Sequence, residues 1–169
     1  ALMRNPEWHR NRVLAAAQTE QNPELRAEAV RQLGQMGAND ELWLMYQKDT
    51  SVDVKRQILW AMQVSGNTTR MVEIARTEKD PDLRLRAVRN LGVMGGKAAA
   101  DTLLEIYANE KDPAIRRTVI NSLFTSDNAT ALVALARKEQ DMAMKTEIVK
   151  RLSNMDNKEA QAYMLELLK

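Results

Sequence analysis

Asp80-Pro81-Asp82-Leu83-Arg84-Leu85-Arg86-Ala87-Val88-Arg89-Asn90-Leu91-Gly92 is the stretch that decides how this chain folds. An Asp side chain can accept the free N–H groups of a first helical turn, and the Pro after it fits the first helical position, where its missing N–H costs nothing. Leu83, Ala87, Val88 and Leu91 then recur at helical spacing as one apolar stripe. A lone helix of this length cannot bury that stripe, so the rest of the chain must supply a partner.

It does so by repetition. Asn22-Pro23-Glu24-Leu25-Arg26, Ser51-Val52-Asp53-Val54-Lys55, Asp112-Pro113-Ala114-Ile115-Arg116 and Asp141-Met142-Ala143-Met144-Lys145 align with Asp80-Pro81-Asp82-Leu83-Arg84 without gaps. Successive copies are 29, 29, 32 and 29 residues apart, and the extra three residues fit in Gly95-Gly96-Lys97-Ala98-Ala99, ahead of the next helix. The columns Leu25/Val54/Leu83/Ile115/Met144, Ala29/Ile58/Ala87/Val119/Ile148, Val30/Leu59/Val88/Ile120/Val149 and Leu33/Met62/Leu91/Leu123/Leu152 are apolar throughout, and each is expected to be buried. Gly37, Gly66, Gly95, Asp127 and Asp156 close the helices. The spacing therefore predicts helices, termed B, over residues 23–36, 52–65, 81–94, 113–126 and 142–155. Between them lie shorter A helices, several opened by Asn67, Asn128 and Asn157, with apolar columns Leu42/Met71/Leu103/Leu132 and Met45/Ile74/Ile106/Leu135/Met164. Val13, Ala16 and Ala17 place a first A helix in the same register. Neither helix of a pair can bury its stripe alone, so the pairs must stack. Gly34 and Gly92 inside helices B each cost about 1 kcal/mol against Ala, which points to a tight helix crossing. The fold class expected is all-α, a right-handed α-α superhelix of about five two-helix repeats plus a terminal helix.

Composition agrees. Aromatic residues are only 4% of the 169, and 44% are hydrophobic, mostly Ala, Leu, Val and Met, which suits packed helices better than a sheet. A single repeat domain over residues 1–169 is expected. The chain opens at Ala1 just before a helix start, so it reads as the C-terminal part of a longer protein. Trp8, Val13 and Leu14 should then expose apolar surface toward the missing part, giving a monomer or weak end-to-end association, while Tyr163, Met164, Leu165, Leu167 and Leu168 form a closing A helix. There is no Cys, so thiolate catalysis, disulfides and Cys-ligated zinc are excluded. No apolar run approaches the length of a membrane span, and no signal-peptide core is visible in the covered residues, so a soluble chain is expected.

The Asp-Pro-x-Leu/Ile-Arg-x-x-Ala/Val-Val/Ile-x-x-Leu-Gly pattern resembles the short HEAT-like repeats of bacterial proteins first named for phycobilisome lyases. The resemblance covers nearly the whole chain, departing from the pattern where Val52 and Met142 replace Pro and where Phe124 or Ser153 replaces Gly. It implies a HEAT-like solenoid and leaves function open, since such repeats occur in lyases, repair proteins, hydroxylases and scaffolds.

Two basic columns need separate readings. Arg26/Lys55/Arg84/Arg116/Lys145 borders the buried stripe, so its stems can lie on apolar surface while its heads reach loop carbonyls or caps such as Asp80 and Asp112, and the family pattern also carries Arg here. Its role is structural. Arg31/Trp60/Arg89/Asn121/Lys150 falls nearly opposite the stripe, on the side that lines the concave surface of such a solenoid. An aromatic between two Arg can hold a partner by stacking and cation–π contact. With Arg56 and Arg86 on its flanks, this column is the candidate partner-binding site. The B segments carry 12 Lys or Arg against 5 Asp or Glu, which favours an acidic peptide or a phosphate backbone, although five of the twelve belong to the structural column.

No catalytic, metal or cofactor residues are nominated. His9 is the only histidine, too few for the repeated His-Glu pairs of HEAT-type hydroxylases. No carboxylate lies on an otherwise apolar face, and Gly92-Val93-Met94-Gly95-Gly96 ends a helix instead of joining strand to helix. Trp43 is read as packing between repeats, and the Met residues as core filler. The expected function is a non-enzymatic scaffold that binds a protein or peptide, an acidic one being favoured by the charge. The alternative is a nucleic-acid-binding repair protein of the HEAT-like DNA glycosylase type, which would need a more basic groove.

Overall fold

The computed structural model describes residues 6–169. They form eleven helices and no strand: α1 (Pro6–Thr19), α2 (Pro23–Gln35), α3 (Asn39–Lys48), α4 (Val52–Val64), α5 (Thr68–Thr77), α6 (Pro81–Met94), α7 (Lys97–Asn109), α8 (Pro113–Thr125), α9 (Ala129–Lys138), α10 (Met142–Ser153) and α11 (Lys158–Leu167). The B helices are α2, α4, α6, α8 and α10, and each starts at the predicted residue. The reason is visible at every cap. Side chains of Asn22, Ser51, Asp80, Asp112 and Asp141 accept backbone N–H groups of the following turn, and Pro23, Pro81 and Pro113 follow three of them. At the other end Gly37, Gly66, Gly95 and Asp127 adopt positive φ, as a left-handed helix stop requires. Asp156 does not. Helix α10 ends earlier, at Ser153, with Asn154 as its cap.

The chain divides into two compact units, residues 1–73 and 74–169. In the first unit α2 packs on α4 and α1 and α3 flank them. Ala29, Val30, Leu33, Leu42, Ile58, Leu59 and Met62 make its core. Two expectations fail here. Leu25 is 57% exposed, because α2 is the first B helix among the described residues and α1 leaves that end uncovered. Val13, expected at an open end, is buried. Trp43 stacks on Tyr46 with Arg70 of α5 over its ring at 4.7 Å, so it does pack between successive A helices.

In the second unit α6, α8 and α10 lie side by side, and α7, α9 and α11 cover them. The core runs through Leu83, Val88, Leu91, Leu103, Ile120, Leu123, Leu132, Ile148 and Leu152. The three extra residues do not wait ahead of the helix. They lengthen α7, which has 13 residues where α9 and α11 have 10. Leu165 on α11 and Leu168 just after it stay exposed while Tyr163 is buried.

Both interior glycines mark close crossings. A Cβ on Gly34 would stand 2.7 Å from the Ala61 carbonyl oxygen, and one on Gly92 would stand 2.6 Å from Ser122 Cβ. Only a residue without a side chain lets the neighbouring B helices approach so closely.

Candidate partner-binding face

The structure separates the two basic columns by what they touch. Arg84 Nη1 donates to Glu110 at 2.5 Å and Arg84 Nε donates to the Ala75 carbonyl at 3.0 Å. Arg116 donates to Glu139 at 2.7 Å and lies 4.1 Å from the Tyr107 ring centroid, and the Tyr107 hydroxyl donates to the same carboxylate at 2.5 Å. In the first unit Lys55 Nζ lies 4.9 Å from the Tyr46 ring centroid. Arg84 and Arg116 therefore tie neighbouring repeats together, Arg84 reaching a backbone carbonyl as expected, but the charged acceptors of the two are not the Asp caps. They are acidic residues two positions before the caps, a feature the sequence reading overlooked.

That acidic column is complete. Glu20, Asp49, Glu78, Glu110 and Glu139 accept the backbone N–H of Asn22, Ser51, Asp80, Asp112 and Asp141 at 2.8–3.1 Å. A carboxylate at that offset satisfies a donor that the helix start leaves unpaired. The signal was available in the sequence as an acid two residues ahead of every cap.

The Asp112 N–H, and with it the Arg84 guanidinium, holds the Glu110 carboxyl below the ordinary value of 4.5 against the opposing effect of burial. A carboxyl with a lowered folded pKa adds stability above its unfolded value and loses it as pH falls through the folded one. Thermal melts between neutral pH and about pH 3 should therefore show the gap between wild type and Glu110→Gln closing as acid protonates Glu110. A gap that stays constant across this range contradicts the assignment.

The second column faces solvent. In the first unit Arg31 and Trp60 meet at a shallow depression of about 470 Å³ between α2 and α4, whose other walls are Glu24, Ala27, Glu28 and Gln57. Trp60 is 45% exposed while its chain neighbours Leu59 and Ala61 are buried, so α4 turns its core side away from the indole. Arg31 is ion-paired with Glu28 one turn back. Arg56 is held by Asp53 at 2.8 Å and does not line the depression.

In the second unit Arg89, Val93, Asn121 and Thr125 line a notch of about 230 Å³ between α6 and α8. Asn121 also borders a wider one of about 460 Å³, with Arg117, Lys150 and Arg151, between α8 and α10. The predicted column is thus assembled across three helices of this unit. Arg86 is tied to Asp82 at 3.1 Å and Arg117 to Glu147 at 2.9 Å. Arg89 and Lys150 are exposed and have no ion-pair partner among the described residues.

Among the described residues no group of three or more His, Asp or Glu side chains is placed to hold a metal ion, and no helix is long and apolar enough to cross a membrane. Comparison with protein families matches the model for HEAT repeats over residues 39–123 and over residues 68–138, together more than half of the chain. The match is to HEAT repeats as a class and does not single out the lyase type. No curated protein matches.

Proposed function

The chain belongs to the HEAT repeat family, whose members are commonly non-catalytic scaffolds for protein interaction, and from that premise we propose that the outward face of its B helices binds a protein partner carrying acidic side chains. One observation carries this reading. On unit 74–169 Arg84 and Arg116 of the structural column are paired with Glu110 and Glu139, whereas Arg89 and Lys150 of the outward column are exposed and have no counter-charge among the described residues. A partner carboxylate can supply what the chain does not. Asn121 between them adds a neutral donor and acceptor, and Val93 at 57% exposure adds apolar contact.

The test is fluorescence anisotropy with a labelled Asp/Glu-rich helical peptide against wild type, an Arg89→Glu/Lys150→Glu double variant, and Lys138→Glu as a control outside this column. Reversing two contacting charges is expected to weaken binding by about 2–4 kcal/mol and to flatten its salt dependence, while the control binds like wild type. Equal loss in the control would overturn the site. Preferential, steeply salt-dependent binding of duplex DNA over the peptide would replace the scaffold reading with the nucleic-acid one.

A further inference from the structure

Every aromatic side chain of this chain but one is covered by one of its own cations. Arg12 lies over Trp8, Arg70 over Trp43, Lys55 over Tyr46, Arg116 over Tyr107, Arg151 over Phe124 and Arg137 over Tyr163, each 4.1–5.7 Å from the ring centroid. With three Trp, three Tyr and one Phe in the sequence, Trp60 is the seventh aromatic, and no cation of the described residues covers it. A cation over an indole face is attracted by the ring quadrupole, and Trp is the best of the aromatic acceptors.

The walls of the Trp60 depression favour the same occupant. Three ionisable groups line it, Glu24, Glu28 and Arg31. Arg31 and Glu28 neutralise each other, and Glu28 also accepts the Gln32 side-chain amide at 3.3 Å. Glu24 is exposed and its carboxylate has no ion-pair partner among the described residues, so the depression carries one uncompensated negative charge beside an open aromatic face. An acidic side chain is repelled by both features. A purely apolar one would strip water from the Glu24 carboxylate without replacing it.

We propose that the Trp60 depression receives a lysine or arginine side chain of the partner, its cationic head seated between the indole face and the Glu24 carboxylate. This rests on the outward side of the B helices being partner surface, and it gives the two units, each taken by itself, opposite charge preferences. Unit 1–73 takes a cation, and Arg89 and Lys150 on unit 74–169 take carboxylates.

The indole N–H of Trp60, assigned by its loss in Trp60→Phe, reports on the depression in a two-dimensional nitrogen–proton spectrum. The probes are Nα-acetyl-arginine amide and Nα-acetyl-lysine amide, with the Nα-acetyl amides of norleucine and glutamate as comparisons. The cationic probes are expected to shift the Trp60 signal saturably at high millimolar concentration, the range of a single contact, and the comparisons are expected to leave it in place. Glu24→Gln, a change at an exposed side chain, should weaken the arginine and lysine probes by about threefold or more without moving the melting temperature. An equal response to norleucine, any preference for glutamate, or no response to the cationic probes overturns the proposal. Its failure is distinguishable from failure of the B-face reading, because acidic-peptide binding through Arg89 and Lys150 is measured separately and survives if only the cation slot is wrong.

Discussion

Glu139→Ala is expected to destabilise the chain by about 3–5 kcal/mol, the cost of removing one partner from a buried ion pair. The Glu139 side chain is only 6% exposed and its carboxylate gathers three donors: the Arg116 guanidinium, the Tyr107 hydroxyl and the Asp141 backbone N–H. Truncation leaves the Tyr107 hydroxyl and the Arg116 guanidinium without this acceptor in a part-buried site, while the exposed Asp141 N–H turns to water. Burial and the Glu139 hydrogen bond already push the Tyr107 hydroxyl above its ordinary pKa, so that proton stays on Tyr107 and needs an acceptor. Denaturant melts check the size of the loss, and Glu139→Gln, which keeps an acceptor oxygen, should lose clearly less. Equal losses for the two variants would mean that packing, not the hydrogen bonds, accounts for the effect.

Gly92→Ala is the second large change. In an exposed helix Ala would gain about 1 kcal/mol over Gly. Here the new methyl would stand 2.6 Å from Ser122 Cβ and 2.7 Å from Ser122 Cα, distances that force α6 and α8 apart. Overpacking of this kind costs about 1–3 kcal/mol and outweighs the propensity gain, so the midpoint of thermal unfolding should fall by several degrees. Ser122→Gly in the same chain should return part of the loss, because it removes the nearer atom and leaves the backbone clash. A more stable Gly92→Ala variant would show that the crossing is looser than described.

Much of this architecture was legible without coordinates. Helix starts carry their chemistry locally, in an Asn, Ser or Asp and often a Pro, so every B helix begins where the caps place it. Helix ends and end faces depend on neighbours, and these are where the reading slipped. Leu25 fits its column in sequence yet is exposed, because position in a stripe cannot tell which repeat lacks a covering element. Gly95-Gly96-Lys97-Ala98-Ala99 looked like an insertion in a loop, but Lys97-Ala98-Ala99 satisfies its backbone by joining α7 as an extra turn. The acidic column ending in Glu139 is present in the sequence, but its role depends on carboxylates folding back onto the N–H of each cap and receiving an Arg from the preceding B helix, a relation the spacing alone does not display.

For the candidate face the legible part was orientation. Arg31, Trp60, Arg89, Asn121 and Lys150 are all exposed, as a helical wheel places them opposite the stripe. Neutralisation was not legible, since Arg117 finds Glu147 thirty residues away while Arg89 finds no counter-ion among the described residues. The missing cation over Trp60 is also a relation between distant side chains, visible only once the other six rings are seen to be covered.

The central claim is that one column of the B helices builds the array and the opposite column is free to bind. The most direct measurement is the unfolding free energy of a Trp60→Ala/Arg89→Ala/Asn121→Ala/Lys150→Ala variant by chemical denaturation. Exposed substitutions cost little each, and a half-covered Trp contributes about 1 kcal/mol, so the predicted total is about 2 kcal/mol or less. A loss of about 4 kcal/mol or more, comparable with Glu139→Ala, would contradict the account by placing the outward column among the residues that hold the repeats together.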